Sequence, residues 1–129
     1  MPLKVLDWYT EPRIENNPTA YFIFGDNDQR VGVGGQAKIC RGKPNCIGVR
    51  TKALPTYGPE AFYYDRDFEQ NRIKIDEDFA EVEKLLESGS VVYWPACGIG
   101  TGRANLKENA PETLNYINEK MLGLLKKYK

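Results

Sequence analysis

Tyr21-Phe22-Ile23-Phe24, running into Gly25-Asp26-Asn27-Asp28-Gln29-Arg30-Val31-Gly32-Val33-Gly34-Gly35-Gln36-Ala37, is the stretch whose reading decides the fold. Continuous short apolar runs of this kind are the mark of a strand buried on both faces. A strand that empties into glycines and then a helix, here over 34–41, is how α/β proteins present backbone N–H groups to phosphate. Glycine allows close approach to the backbone, and a helix N-terminus adds partial positive charge. The pattern returns at Val91-Val92-Tyr93-Trp94, which runs into Pro95-Ala96-Cys97-Gly98-Ile99-Gly100-Thr101-Gly102-Arg103-Ala104. Two such loops in one small domain frame one crevice and predict a nucleotide-like ligand.

The flanking segments supply the rest of an α/β domain. Leu3 to Asp7 alternates weakly and predicts an edge strand, while Thr10 to Thr19 reads as a loop. Cys46-Ile47-Gly48-Val49 predicts a strand beside the first, with Arg50-Thr51-Lys52 leaving it at the same sheet end. Residues 53–70, with Pro55, Gly58, Pro59 and a tyrosine cluster, predict a long aromatic loop. Asp76 to Glu87 predicts a helix capped by Asp76 and closed by Gly89. A last helix starts near Asn109-Ala110-Pro111-Glu112, with Asn109 as cap and Leu114, Ile117, Met121, Leu124 and Leu125 as its buried stripe. In alternating β and α segments of this kind the ligand crevice lies beyond the carboxyl ends of the strands.

Length and charge bound the function. The 129 residues predict one domain, 1–129. Lys+Arg and Asp+Glu both number 18 and the pI is near 6.3, which argues against electrostatic grip on nucleic acid. No apolar run approaches a membrane span, and the N-terminus lacks a signal-peptide core, so a cytoplasmic protein without a membrane partner is expected. Three cysteines without CxxC spacing predict neither disulfides nor a metal site, and no cofactor is called for. Histidine is absent, which removes the usual general base and every Ser-His or Cys-His pair.

The candidate binding residues are Gly25, Asp26, Asn27, Gly34, Gly35 and Gln36 of the first loop, Thr51 and Lys52 at the neighbouring strand end, and Gly98, Ile99, Gly100, Thr101, Gly102 and Arg103 of the second loop. The second loop lacks the terminal Gly-Lys-Ser/Thr of a P-loop and is one residue off a GxGxxG fingerprint. As a generic phosphate cradle it offers amides, the Thr101 hydroxyl and a bidentate partner in Arg103. Against this stand plainer readings: tight turns for the glycines, an Asx turn for Asp26 and Asn27, and a packed thiol for Cys97. If the chain is an enzyme, Asn27 and Asp26 are the candidate catalytic residues, and the hydrolase would be histidine-independent.

Phe24-Gly25-Asp26-Asn27, Gly34-Gly35-Gln36-Ala37, Pro44 to Lys52, Gly98 to Leu106 and Ala110-Pro111 together resemble the ordered motifs of a family of small uncharacterised phage and bacterial proteins. That family is in turn distantly similar to macro domains, which bind ADP-ribose. The resemblance implies a three-layer α/β/α macro-like sandwich with a mixed central sheet. It places Asn27 at the distal ribose, Gly34 and Gly35 in the first pyrophosphate loop, and Gly98 to Arg103 in the second. The implied function is binding of an ADP-ribose-type nucleotide, as reader, sequestering protein or hydrolase of ADP-ribose derivatives, in a host cytoplasm if phage-encoded. The rivals are a nucleic-acid-associated accessory protein, stacking bases on the Tyr57–Tyr64 loop, and an interaction module without a small-molecule ligand.

Overall fold

The computed structural model describes residues 3–32 and 34–128; Met1, Pro2, Lys129 and Val33 of the first glycine loop lie outside the described residues. Four strands form one sheet: β1 (Leu3–Leu6), β2 (Tyr21–Asn27), β3 (Cys46–Lys52) and β4 (Val92–Pro95), in the order β1-β4-β2-β3. Five helices accompany them among the described residues: α1 (Glu11–Glu15), α2 (Ala37–Cys40), α3 (Phe68–Glu87), α4 (Leu106–Asn109) and α5 (Pro111–Tyr128).

Every strand pairing is parallel, which corrects the expectation of a mixed sheet. Each pair of successive strands is joined by a crossover carrying at least one helix, so the chain always returns to the same end before re-entering the sheet. The carboxyl ends of β2, β3 and β4 therefore gather on one side.

Successive side chains of β2 point to opposite faces and join different clusters. Ile23 packs with α3 and α5 through Ile75, Phe79, Val82, Ile117 and Met121. Phe22 and Phe24 pack instead with Tyr9, Ile14, Ala37 and Cys40, around α1 and α2. The Tyr9 hydroxyl donates to the Ile23 carbonyl at 2.8 Å, so the buried phenol of that second cluster is satisfied.

Helix α3 starts at Phe68 rather than Asp76, which shortens the predicted aromatic loop to residues 53–67. Asp76 sits inside the helix, where it accepts from the Tyr116 hydroxyl and pairs with Lys120 at 3.5 Å. Helix α5 does begin at Pro111, but Asn109 belongs to α4. The Asp65 carboxylate, from the turn Asp65–Asp67, accepts the Glu112 N–H at 3.1 Å instead.

The outer edge of β3 is closed by side chains and a loop. Asp78 of α3 accepts the Arg50 N–H at 2.8 Å, and the Arg30 guanidinium donates to the Gly48 carbonyl at 2.7 Å. Farther along, the N–H groups of Ala53 and Leu54 donate to the Ala61 carbonyl. Among the described residues no helix is long and apolar enough to cross a membrane.

Candidate functional site

A cleft of about 580 Å³ opens beyond the carboxyl ends of β2, β3 and β4, within the range of nucleotide and cofactor pockets. Every binding residue put forward from the sequence lies on its wall: the first-loop set, Thr51 and Lys52, and Gly98 through Arg103. Three segments far apart in sequence thus meet because the parallel sheet delivers their ends to one place. A bulge breaks the β2–β3 register beside the cleft, pairing Asp26 with Arg50 and Asn27 with Lys52 so that Thr51 is skipped. The Thr51 hydroxyl donates back to the Asp26 carbonyl at 3.2 Å.

In the first loop, polar side chains turn inward. Asp26 is 5% exposed and its carboxylate is held by Arg41, with Nη2 2.6 Å from Oδ1 and Nη1 3.0 Å from Oδ2. Its Oδ1 also accepts the Asn27 N–H at 2.9 Å. Asn27 spans the loop: its amide donates to the Val31 carbonyl at 2.7 Å and its oxygen accepts from the Gln29 N–H at 3.0 Å. This is the Asx-type turn that the sequence offered as the plainer reading. The two candidate catalytic side chains line the cleft while their polar atoms serve the loop. Gln36 joins β2 by accepting the Gly25 N–H at 3.3 Å.

The second loop is anchored from below. Ile99, Ala104 and Leu106 are buried in the main core, and the Leu106 N–H donates to the Gly100 carbonyl at 3.0 Å. Gly100 has φ +75, and a Cβ there would collide with the Leu106 side chain. Gly34 and Gly102, by contrast, have ordinary φ; a Cβ at Gly34 meets only the flexible end of Arg103, and one at Gly102 meets nothing. Turn geometry therefore accounts for Gly100 and leaves Gly34 and Gly102 unexplained. Among the described residues the N–H groups of Gly34, Gly35, Gly100, Thr101 and Gly102 donate to no protein acceptor. Gly100 is buried, whereas Gly34, Gly35, Thr101 and Gly102 are exposed and present their amides to solvent at the cleft.

Helix dipoles contribute less than the sequence reading supposed, because α2 and α4 are each a single turn of four residues. Positive charge comes from side chains instead. Arg103 reaches over Gly34 and Gly35 and donates from Nη1 to the Tyr57 hydroxyl at 2.7 Å. Lys52 is 7% exposed; its ammonium donates to the Thr56 carbonyl at 2.8 Å and lies 4.4 Å from the centre of the Tyr57 ring and 4.8 Å from that of Phe62. Burial, together with the Arg103 charge and against the pull of Tyr57, lowers the Lys52 ammonium below its ordinary range.

The tyrosine cluster divides. Tyr57 is exposed over the cleft, Tyr64 donates to the Pro59 carbonyl, and Tyr63 is buried with its hydroxyl on Asp28. Burial first, and the Asp28 carboxylate second, push the Tyr63 phenol up. Cys97 is exposed at the cleft wall beside Gln36, not packed inward as expected. No group of acidic or cysteine side chains suited to a metal ion occurs among the described residues. Sequence reasoning missed Arg41, whose partners are fixed only by the fold.

A profile of the family of unknown function DUF7831 matches residues 4–120, and the chain belongs to that family. No curated protein and no solved structure matches it. None of these findings links the chain to macro domains.

Proposed function

We propose, for a chain whose family carries no assigned activity, that the cleft binds an ADP-ribose-type nucleotide between its two glycine loops. The observation that carries this reading is the set of amides in both loops, Gly34, Gly35, Gly100, Thr101 and Gly102, that line one cleft without a protein acceptor among the described residues. Donors of that kind suit the oxygens of a diphosphate. The architecture this reading implies is a layered macro-like sandwich, with α3 and α5 on one side of the sheet and the short α1 and α2 on the other. Its all-parallel sheet is the departure from the macro pattern.

Binding, as reader or sequestering protein, is favoured over hydrolysis. A histidine-free hydrolase would lean on Asp26 or Asn27, and both have their polar atoms committed: Asp26 to Arg41, Asn27 to its own turn. A carboxylate gripped on both oxygens by a guanidinium is not free to reach a bound water as a general base.

The test is thermal unfolding with ADP-ribose, NAD, cyclic ADP-ribose isomers and mononucleotides. A ligand at 100 times its dissociation constant adds about 2.7 kcal/mol of stability. Gly34→Val keeps the fold, because its Cβ meets only the tip of Arg103, and abolishes the shift by filling the space over the amides. No shift with any of these ligands, or a shift that survives Gly34→Val, overturns the reading. Multiple turnover on ADP-ribosylated protein that vanishes in Asn27→Ala would replace the binder with a hydrolase.

A further inference from the structure

We propose that Lys52 and Arg103 form a receptor for a phosphomonoester, with Tyr57 holding the two cations in the stead of that phosphate. This rests on the reading that the cleft takes a nucleotide but departs from ADP-ribose itself, whose diphosphate has no monoester end, and it names a terminal phosphate as the group by which the nucleotide is selected.

The argument starts from charge. Among the side chains lining the cleft the cations are Arg41, Lys52 and Arg103, and Asp26 is the acid. Arg41 and Asp26 neutralise each other at 2.6 Å. Lys52 and Arg103 are left with neutral partners among the described residues: a carbonyl and two rings for the ammonium, a phenol for the guanidinium. For Lys52 this is costly, because the residue is 7% exposed and its ammonium, partly withdrawn from water, has a carbonyl and two rings but no counter-charge. Its downward shift, set first by burial, reports the same cost.

One side chain stands between the two cations. The Tyr57 ring takes the Lys52 ammonium and its hydroxyl takes Arg103 Nη1. Tyr57 is itself 59% exposed, so core packing does not hold it there. A phosphate offers both cations an opposite charge as well as acceptor oxygens, which neither the Tyr57 ring nor its hydroxyl supplies. The monoester is favoured over the diester by charge balance. Two positive charges converge from separate elements, the end of β3 and the second glycine loop. A phosphomonoester brings about −1.5 to −2 at neutral pH, whereas a diester brings one negative charge and leaves a cation unmatched.

The experiment compares AMP with its 5′-methyl phosphodiester by calorimetry, on the wild type, Lys52→Met, Arg103→Gln and Tyr57→Phe. AMP is expected to bind the wild type at least about tenfold more tightly than the diester, the equivalent of one charge-assisted hydrogen bond. In Lys52→Met and Arg103→Gln the preference drops to about threefold or less on the same scale. Tyr57→Phe, which removes the competing hydroxyl and keeps the ring, binds AMP at least as tightly as the wild type. Equal binding of the two probes by the wild type, or a preference that survives both cation substitutions, overturns the receptor. If Lys52→Met fails to fold by circular dichroism, Arg103→Gln decides, since that side chain is exposed. ADP-ribose binding with no binding of AMP overturns the receptor and leaves the earlier reading standing. A charge-selective preference for AMP with no binding of ADP-ribose supports the receptor and overturns the earlier reading.

Discussion

Residues 25–36 and 97–104 both carry glycines past the end of a buried strand, yet the first loop is fixed by polar side chains and the second by apolar ones. In the first, one guanidinium does most of the fixing. Arg41 holds the Asp26 carboxylate and donates also to the carbonyls of Val31, at 3.1 Å, and Gly32, at 3.0 Å. In the second, Ile99 and Ala104 are rooted in the core and Leu106 presses on Gly100. The difference teaches that glycines in similar sequence settings answer different demands. At Gly100 the glycine makes room for a neighbour inside the fold. At Gly34 the space a Cβ would take is filled by the end of the Arg103 side chain, and at Gly102 it is open.

The comparison can be broken at its strongest point first. Leu106→Ala should cost about 3–5 kcal/mol by urea unfolding, the range for deleting a fully buried leucine. A loss below about 1 kcal/mol would mean that the second loop is not anchored by packing. Arg41→Met should cost about 2–3 kcal/mol, somewhat less than breaking a fully buried pair because Arg41 keeps 21% side-chain exposure. Asp26→Asn in that background should recover part of the loss, since it removes a buried charge left only with Arg30 at 3.4 Å. If the double variant is no better than Arg41→Met, the ion pair is not what holds the first loop.

Asn27→Ala sharpens the contrast at smaller scale. Losing the two bonds that span the first loop should cost about 1–2 kcal/mol in the same unfolding measurement. The smallest effect belongs to Gly102→Ala, expected within about 0.5 kcal/mol of the wild type because nothing lies near the new methyl group. A large loss there would show that the second loop needs glycine for its own conformation at every position, against the division drawn here.

Strands β2 to β4 and the residues of the cleft were legible because their signals are local. An apolar run of four and a glycine cluster need no knowledge of the rest of the chain. The first two turns of α3 were not, since Pro55, Pro59 and three tyrosines just upstream carry a strong loop signal. What makes Asn71 helical is tertiary: its buried amide donates to Thr113 of α5 at 3.1 Å. Arg41 and Asp78 were missed for the same reason, as each finds its partners through space. The parallel order of the strands likewise depends on how crossovers stack, which periodicity does not encode.

The closed edge of β3 has a consequence for how the chain reaches its fold. Asp78 can take the Arg50 N–H only once α3 has docked, and the same carboxylate then holds Arg30, which covers the Gly48 carbonyl. Before that moment a seven-residue strand has its outer backbone groups free to template another chain. Self-association during refolding should therefore be governed by α3, and a variant that weakens α3 docking should aggregate before it loses its sheet.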